Sequence, residues 1–238
     1  MLSNSIKRPT LTPAIRLDRL LANLGYGSRT DATYAIRNER VAVDGMIVRD
    51  PSSRVDPSAV VLDGQPLDHA TGIFVALHKP AGYVCSHDDR DGPTVFTLLP
   101  RRWLDRTPRP EAVGRLDKDA TGLLLITDDH ALLYRLTSPK HHVAKTYHVT
   151  LDQRCDPSLV DVFSSGSLHL RSETEPCLPA TLIIGDQKRA SLTITEGRYH
   201  QVKRMFAACG LKVETLHRTQ VGSWSLDGLA PGAWRDVT

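Results

Sequence analysis

The first periodic stretch is Leu17, Leu20, Leu21 and Leu24, whose i, i+3, i+4, i+7 spacing places one apolar stripe on a helix. Gly25 follows where a helix end takes a residue with positive φ. Ser28, with Asp31 three residues on, predicts a capped second helix that Arg37-Asn38-Glu39-Arg40 closes. The period then changes to alternation. Val41 and Val43 lead into Asp44-Gly45, and Ile47 and Val48 lead out, which signals a two-residue hairpin. Asp63-Gly64 after Val60-Val61-Leu62 predicts a second turn. Phe74 to Leu77 is a strand stopped by Pro80. Asp88 to Pro93 reads as a polar loop, Val95, Leu98 and Leu99 as a short helix, and Arg101 to Pro110 as an exposed basic loop. Gly122 to Thr127 is a short apolar run bounded by Gly and Asp, the pattern of a buried strand.

Beyond that strand, Leu132, Leu133 and Leu136 predict a helix ending at Ser138-Pro139. Tyr147, Val149 and Leu151 alternate as a strand, and Leu159, Val160 and Phe163 predict a helix ending at Gly166. Thr181 to Ile184 and Leu192 to Thr195 read as strands. Val202, Met205, Phe206 and Cys209 form one helix face capped by Gly210, and Val213 to Leu216 is the next strand. Helices and strands mix without strict βαβ order, so the fold class is α+β with a largely antiparallel sheet. His69 to Gly72 is the expected linker. The expected partition is a flexible tail at 1–13, a small module at 14–70 and a larger domain at 71–238.

Composition narrows the classes. The chain has 238 residues and a formal net charge of +3, compatible with nucleic acid without demanding it. Its four cysteines lie far apart, with no CxxC pair to suggest a zinc ribbon or a disulfide framework. No apolar run approaches the ~18 residues of a membrane helix, and no secretory signal is evident. A cytoplasmic setting without membrane association is the expectation. Charge is uneven: Lys7 to Arg40 holds seven basic residues against three acids. Phosphate binding needs such a cluster, although a solvated helix face would carry one too.

Four ordered motifs carry a resemblance. They are His78-Lys79-Pro80-Ala81-Gly82-Tyr83-Val84-Cys85-Ser86; Gly114-Arg115-Leu116-Asp117 with Gly122-Leu123-Leu124; Lys145-Thr146-Tyr147; and Glu196-Gly197-Arg198-Tyr199-His200-Gln201-Val202-Lys203-Arg204-Met205. Together they resemble the RNA pseudouridine synthases, from about Ile15 to the C-terminus. The two helices and hairpin before them look like an S4-type RNA-binding module. The resemblance implies a catalytic domain with a mostly antiparallel mixed sheet flanked by helices. It also implies isomerisation of uridine in 16S ribosomal RNA, probed by a monomer on a small-subunit assembly intermediate. Two alternatives stand beside this: the same reaction on 23S rRNA, and an RNA-binding assembly factor with weak turnover.

The reaction detaches the base from ribose at nitrogen, turns it and rejoins it through carbon. Nothing is oxidised and no group is imported, so no cofactor is expected, and neither a P-loop nor a GxGxxG fingerprint is present. An ionised acid beside the nucleotide is needed. The resemblance assigns this to Asp117, as nucleophile or base, with Lys203 as its cationic partner and Tyr147 against the base. A turn-capping acid, a surface lysine and a core tyrosine are the structural alternatives. Arg115 is placed to fill the gap left by a flipped base or to hold a phosphate. Arg204 is expected on phosphate, and Leu216 as an apolar wall under the base. In the first module Arg16, Arg19, Ser28, Arg29, Arg37 and Arg40 are the expected RNA contacts. Ala120 stands where the family carries Thr, a change expected to slacken the loop. His141, His142 and His148 lack metal-ligand spacing, so no metal is expected.

Overall fold

The computed structural model describes residues 14–186 and 188–237, so the expected tail at 1–13 lies outside the described residues. The chain divides into two compact units, one comprising residues up to Ile73 together with Pro100–Pro110, the other Phe74–Leu99 and Glu111 onward.

The first unit starts with β1 (Ile15–Arg16), α1 (Leu17–Asn23) and α2 (Arg29–Arg37). Ser28 caps α2 in a reciprocal box with Asp31, as the spacing predicts. The stripe Leu17, Leu20, Leu21 and Leu24 packs with Ala32, Ile36, Val41 and Val60 into this unit's core. Strands β2 (Val41–Val43), β3 (Met46–Ile47), β4 (Arg54–Val55), β5 (Val60–Leu62) and β6 (Gln65–Pro66) follow. They form a small sheet in the order β3-β2-β5-β6, with β1 paired to β4 apart from it. Asp44-Gly45 and Asp63-Gly64 both take positive φ, as two-residue hairpins require.

Residues 101–110, expected as an exposed basic loop of the second domain, are a correction. Arg101–Asp105 is a 3-10 turn whose Trp103 is fully buried. The indole Nε1 donates to Asp68 Oδ2 at 2.8 Å. Arg106 is buried too and donates to the His69 carbonyl at 2.9 Å. Arg102 pairs with Asp68 and lies 4.2 Å from the centre of the Tyr26 ring. Tyr26 in turn accepts the Asp68 backbone N–H at 2.9 Å. The basic composition of this segment hid one large apolar anchor, and its arginines serve the residues expected as a linker.

The second unit is built on one sheet. Its elements are β7 (Phe74–Lys79), β8 (Glu111–Val113), β9 (Thr121–Thr127), α3 (His130–Thr137), β10 (Lys145–Leu151), α4 (Leu159–Ser164), β11 (Thr181–Ile184), β12 (Arg189–Ile194), α5 (Gln201–Ala208), β13 (Val213–Val221), β14 (Trp224–Ser225) and β15 (Trp234–Asp236). Among the described residues the sheet has nine strands, with the path β11-β12-β10-β13-β9-β7-β15, β14 on β13 and β8 on β9. Only β9 and β13 pair in parallel. The mixed, largely antiparallel sheet matches the α+β expectation.

Gly122 makes the parallel pair possible. It lies opposite Arg218 at φ +111, and a Cβ there would sit 2.2 Å from the Arg218 carbonyl oxygen. One sheet face carries Tyr147, Val149, Leu192 and Leu216, which pack with Leu116, Ala120, Met205 and Phe206. The register puts His148, His217 and Thr121 on the other face, where Leu123, Leu125, Phe74 and Ala76 meet Leu132 and Leu136 of α3. No described helix is long and apolar enough to cross a membrane.

Candidate active site

Asp117 sits in the loop between β8 and β9, and four tethers set that loop. Arg218, fully buried in the sheet, donates to the Gly114 carbonyl at 3.1 Å and the Leu123 carbonyl at 2.8 Å. The Leu116 N–H points at the Cys85 sulfur at 3.4 Å. Gly82 N–H donates to the Lys118 carbonyl at 2.8 Å. Lys79, at the end of β7, is completely buried, and its Nζ donates to the carbonyls of Pro80, Lys118 and Ala120 at 3.1, 3.1 and 2.6 Å. Burial pulls the pKa of that ammonium below the ordinary lysine value, partly opposed by the nearby Cys85, Asp119 and Asp117. A buried ammonium without carboxylate contact is held by carbonyl dipoles, and here these dipoles belong to the loop it fixes.

The acid itself faces the start of α5. Lys203 Nζ lies 3.0 Å from Asp117 Oδ2, and His200 Nε2 lies 3.2 Å from Asp117 Oδ1. Lys203 also binds both oxygens of Asp119, at 2.8 and 2.9 Å. Burial pulls the Lys203 pKa down, but its bonds to the two aspartates prevail and leave it raised. The Lys203 hydrogen bond, opposed by burial, lowers the Asp119 pKa. Asp117 is therefore flanked by a lysine and an imidazole on a clamped loop, and its side chain keeps 21 % of its surface open to solvent.

Tyr147 lies on β10, on the sheet face that packs against Leu116 and Ala120. Its side chain is mostly buried, yet the hydroxyl makes no hydrogen bond among the described residues and is not sealed from solvent. Leu216 belongs to the same apolar cluster, as does Ala120, which is fully buried. At Ala120, where the resemblance expects Thr, the Lys79 ammonium binds the backbone carbonyl at 2.6 Å, and the neighbouring Thr121 hydroxyl engages His217 at 2.8 Å.

The expected phosphate contacts divide. Arg115 is exposed and makes no ion pair or hydrogen bond through its side chain among the described residues. Arg204, expected on phosphate, is instead committed to structure: it pairs with Glu173 at 2.8 Å and donates to the carbonyls of Arg171 at 2.6 Å and Tyr199 at 3.1 Å. In the first unit Arg16 and Arg29 converge on buried Asp18, at 2.9 and 3.1 Å. Arg40 pairs with Asp63 at 2.6 Å, and the Ser28 hydroxyl is taken up by the Asp31 cap. Arg19 and Arg37 stay exposed without side-chain partners among the described residues.

Sequence reasoning missed Lys79, Arg218, Asp119, His200 and Cys85 as parts of the site. Lys79, Cys85 and His200 stand inside the quoted motifs with no role assigned there, and Lys79 had one further signal, a cation closing an apolar strand pattern. Arg218 and Asp119 carry no local signal, and only folding reveals their partners. Among the described residues no cluster of His, Cys, Asp and Glu is placed to hold a metal ion.

Residues 73–208 match the family model described as RNA pseudouridylate synthase, and residues 15–61 match the S4 domain. The ribosomal small subunit pseudouridine synthase A of Escherichia coli K12 is 45% identical over 229 residues, covering 94% of this chain and 96% of that protein. The protein of the same name from Vibrio parahaemolyticus is 43% identical over 228 residues, with the same coverage. A crystal structure of a pseudouridylate synthase superposes with a TM-score of 0.65 at 40% identity, covering 94% of this chain and 96% of the other.

Proposed function

The chain belongs to the RNA pseudouridylate synthase family, and from that premise we propose that it converts a uridine of 16S ribosomal RNA to pseudouridine with Asp117 as the reacting carboxylate. It is an RNA-modifying isomerase. The observation that carries the assignment to Asp117 is its placement: a carboxylate on a four-point tethered loop, with Lys203 Nζ 3.0 Å away. The names of the relatives point to the small subunit and favour this reading over a 23S target.

Asp117 either bonds to C1′ as the C1′–N1 bond breaks, or takes the C2′ proton as N1 departs. The freed base turns and C5 bonds to C1′, while the carboxylate leaves C1′ or the proton returns to C2′; the C5 proton then leaves and N1 gains one. Lys203 pairs with the carboxylate at 3.0 Å. Tyr147 offers a ring for stacking, with an unpaired hydroxyl able to carry a proton. Leu216 walls the base from below. Arg115, without a side-chain partner among the described residues, takes a phosphate or the vacancy left by the flipped nucleotide. Residues 14–70 serve as the RNA-binding module, with Arg19 and Arg37 exposed and without side-chain partners among the described residues.

The test is single-turnover pseudouridine formation on a 16S fragment. Asp117→Asn is expected to abolish turnover while RNA still binds, since affinity rests on phosphate contacts spread along the chain. Full activity of that variant would remove Asp117 from the chemistry. Tyr147→Phe separates ring from hydroxyl: a retained rate assigns stacking, a lost rate proton transfer.

A further inference from the structure

We infer that His200 is a positioning residue for Asp117, and that protonation of its imidazole switches the carboxylate off as pH falls. The inference rests on the reading of Asp117 as the reacting carboxylate.

Three observations converge on His200. Its Nε2 lies 3.2 Å from Asp117 Oδ1, while Lys203 Nζ approaches Oδ2 at 3.0 Å. Its backbone sits at φ +47, a left-handed conformation that a non-glycine residue holds only when its surroundings demand it. It occupies the N-cap position of α5 without using its side chain to cap that helix. The ring is turned to the acid instead. Tyr199 stacks on it with centroids 3.8 Å apart and planes 22° apart, which fixes the plane of the imidazole.

The charged groups around this ring are few. Asp117 faces it from the loop before β9, Lys203 from α5, and Asp119 acts through Lys203. Arg204 is turned away to Glu173. With the imidazole neutral, Nε2 rests 3.2 Å from one carboxylate oxygen and sets its orientation, while the remaining lone pairs stay available to the sugar. With the imidazole protonated, the carboxylate lies between two cations, one on each oxygen. Its lone pairs are then drawn into two charge-assisted bonds, and its power as nucleophile or base falls. Histidine is the side chain suited to this, because it changes charge between about pH 5 and 8.

The experiment is single-turnover pseudouridine formation from pH 5 to 9, with RNA binding measured in parallel. The wild type is expected to lose rate as pH falls across the range in which histidine side chains change charge, about pH 8 to 5. His200→Gln keeps a donor near the position of Nε2 but does not titrate. It is expected to recover most of the rate that His200→Ala loses at pH 8, a loss of about tenfold, and to lack the acid limb above the carboxylate range. An unchanged acid limb in His200→Gln, or wild-type rate in His200→Ala, would overturn the proposal. A second readout is independent of turnover: the nuclear magnetic resonance signals of the His200 ring should change position in Asp117→Asn. Unchanged ring signals would overturn the pairing. Full turnover in Asp117→Asn would instead defeat the function proposed for Asp117, whatever the His200 ring does.

Discussion

Lys79 is the residue on which the loop geometry turns. Lys79→Met removes three N–H donors and takes from the Ala120 carbonyl of the Asp117 loop its lysine partner, at a cost of about 1–3 kcal/mol, while the Lys118 carbonyl keeps its Gly82 bond. Thermal denaturation should show a lower Tm, and turnover should fall while RNA affinity holds. The two arginines of the site separate under salt. Arg115→Ala should reduce the slope of log K against log salt by about 1, as expected for one lost phosphate contact. Arg204→Ala should leave that slope alone and lower Tm, because its partners are Glu173 and two backbone carbonyls. A reversed pattern in titrations at several salt concentrations would return Arg204 to the RNA. Asp117, Tyr147 and Lys203 were legible because each stands inside a motif whose chemistry demands its residue type. The role of Arg204 was not, since Glu173 and Arg171 lie some thirty residues away and no local pattern links them.

At the level of elements, the parallel register of β9 and β13 depends on Gly122. Gly122→Ala would press a methyl into the Arg218 backbone at a positive φ, costing about 3 kcal/mol or more. Loss of amide protection in β9 and β13 by hydrogen exchange would report the separation. In the first unit, α1 and α2 share the buried carboxylate of Asp18, which the Arg16 bond, against the opposing effect of burial, lowers to about 2. A depressed carboxylate stabilises the fold above its unfolded value near 3.8, and that contribution is lost as pH falls through about 2. Asp18→Asn should therefore lower stability near neutrality and flatten its dependence between about pH 4 and 2, as followed by denaturant melts at each pH. The helices were readable because leucine spacing and the Ser28–Asp31 box are local signals. β8 and β15, three residues each, were not read: their pairing with β9 and β7 comes from strands far along the chain.

For the whole molecule, the segment 100–110 changes what a domain boundary means here. The linker at His69 to Gly72 suggested a cut near residue 70, but Asp68 and His69 are partners of Trp103 and Arg106. Trp103→Ala should destabilise the first unit by about 3–5 kcal/mol, seen as faster hydrogen exchange over residues 14–73 in the full chain. Unchanged exchange there would make the segment a passive loop. A sequence read in order could not show this, because the unit is closed by residues that follow β7. The same lacing governs the order in which the molecule can complete itself during synthesis. Residues 14–73 leave the ribosome before the indole that finishes their packing has been made. By the time Trp103 emerges, β7 is already out, and its apolar Phe74 to Leu77 must wait for β9 at 121–127 and for β15 at 234–236. A nascent chain of this protein therefore carries a hydrophobic strand with no partner until β9 is made, and with one edge open until β15 is made, the interval in which chaperones have most to protect.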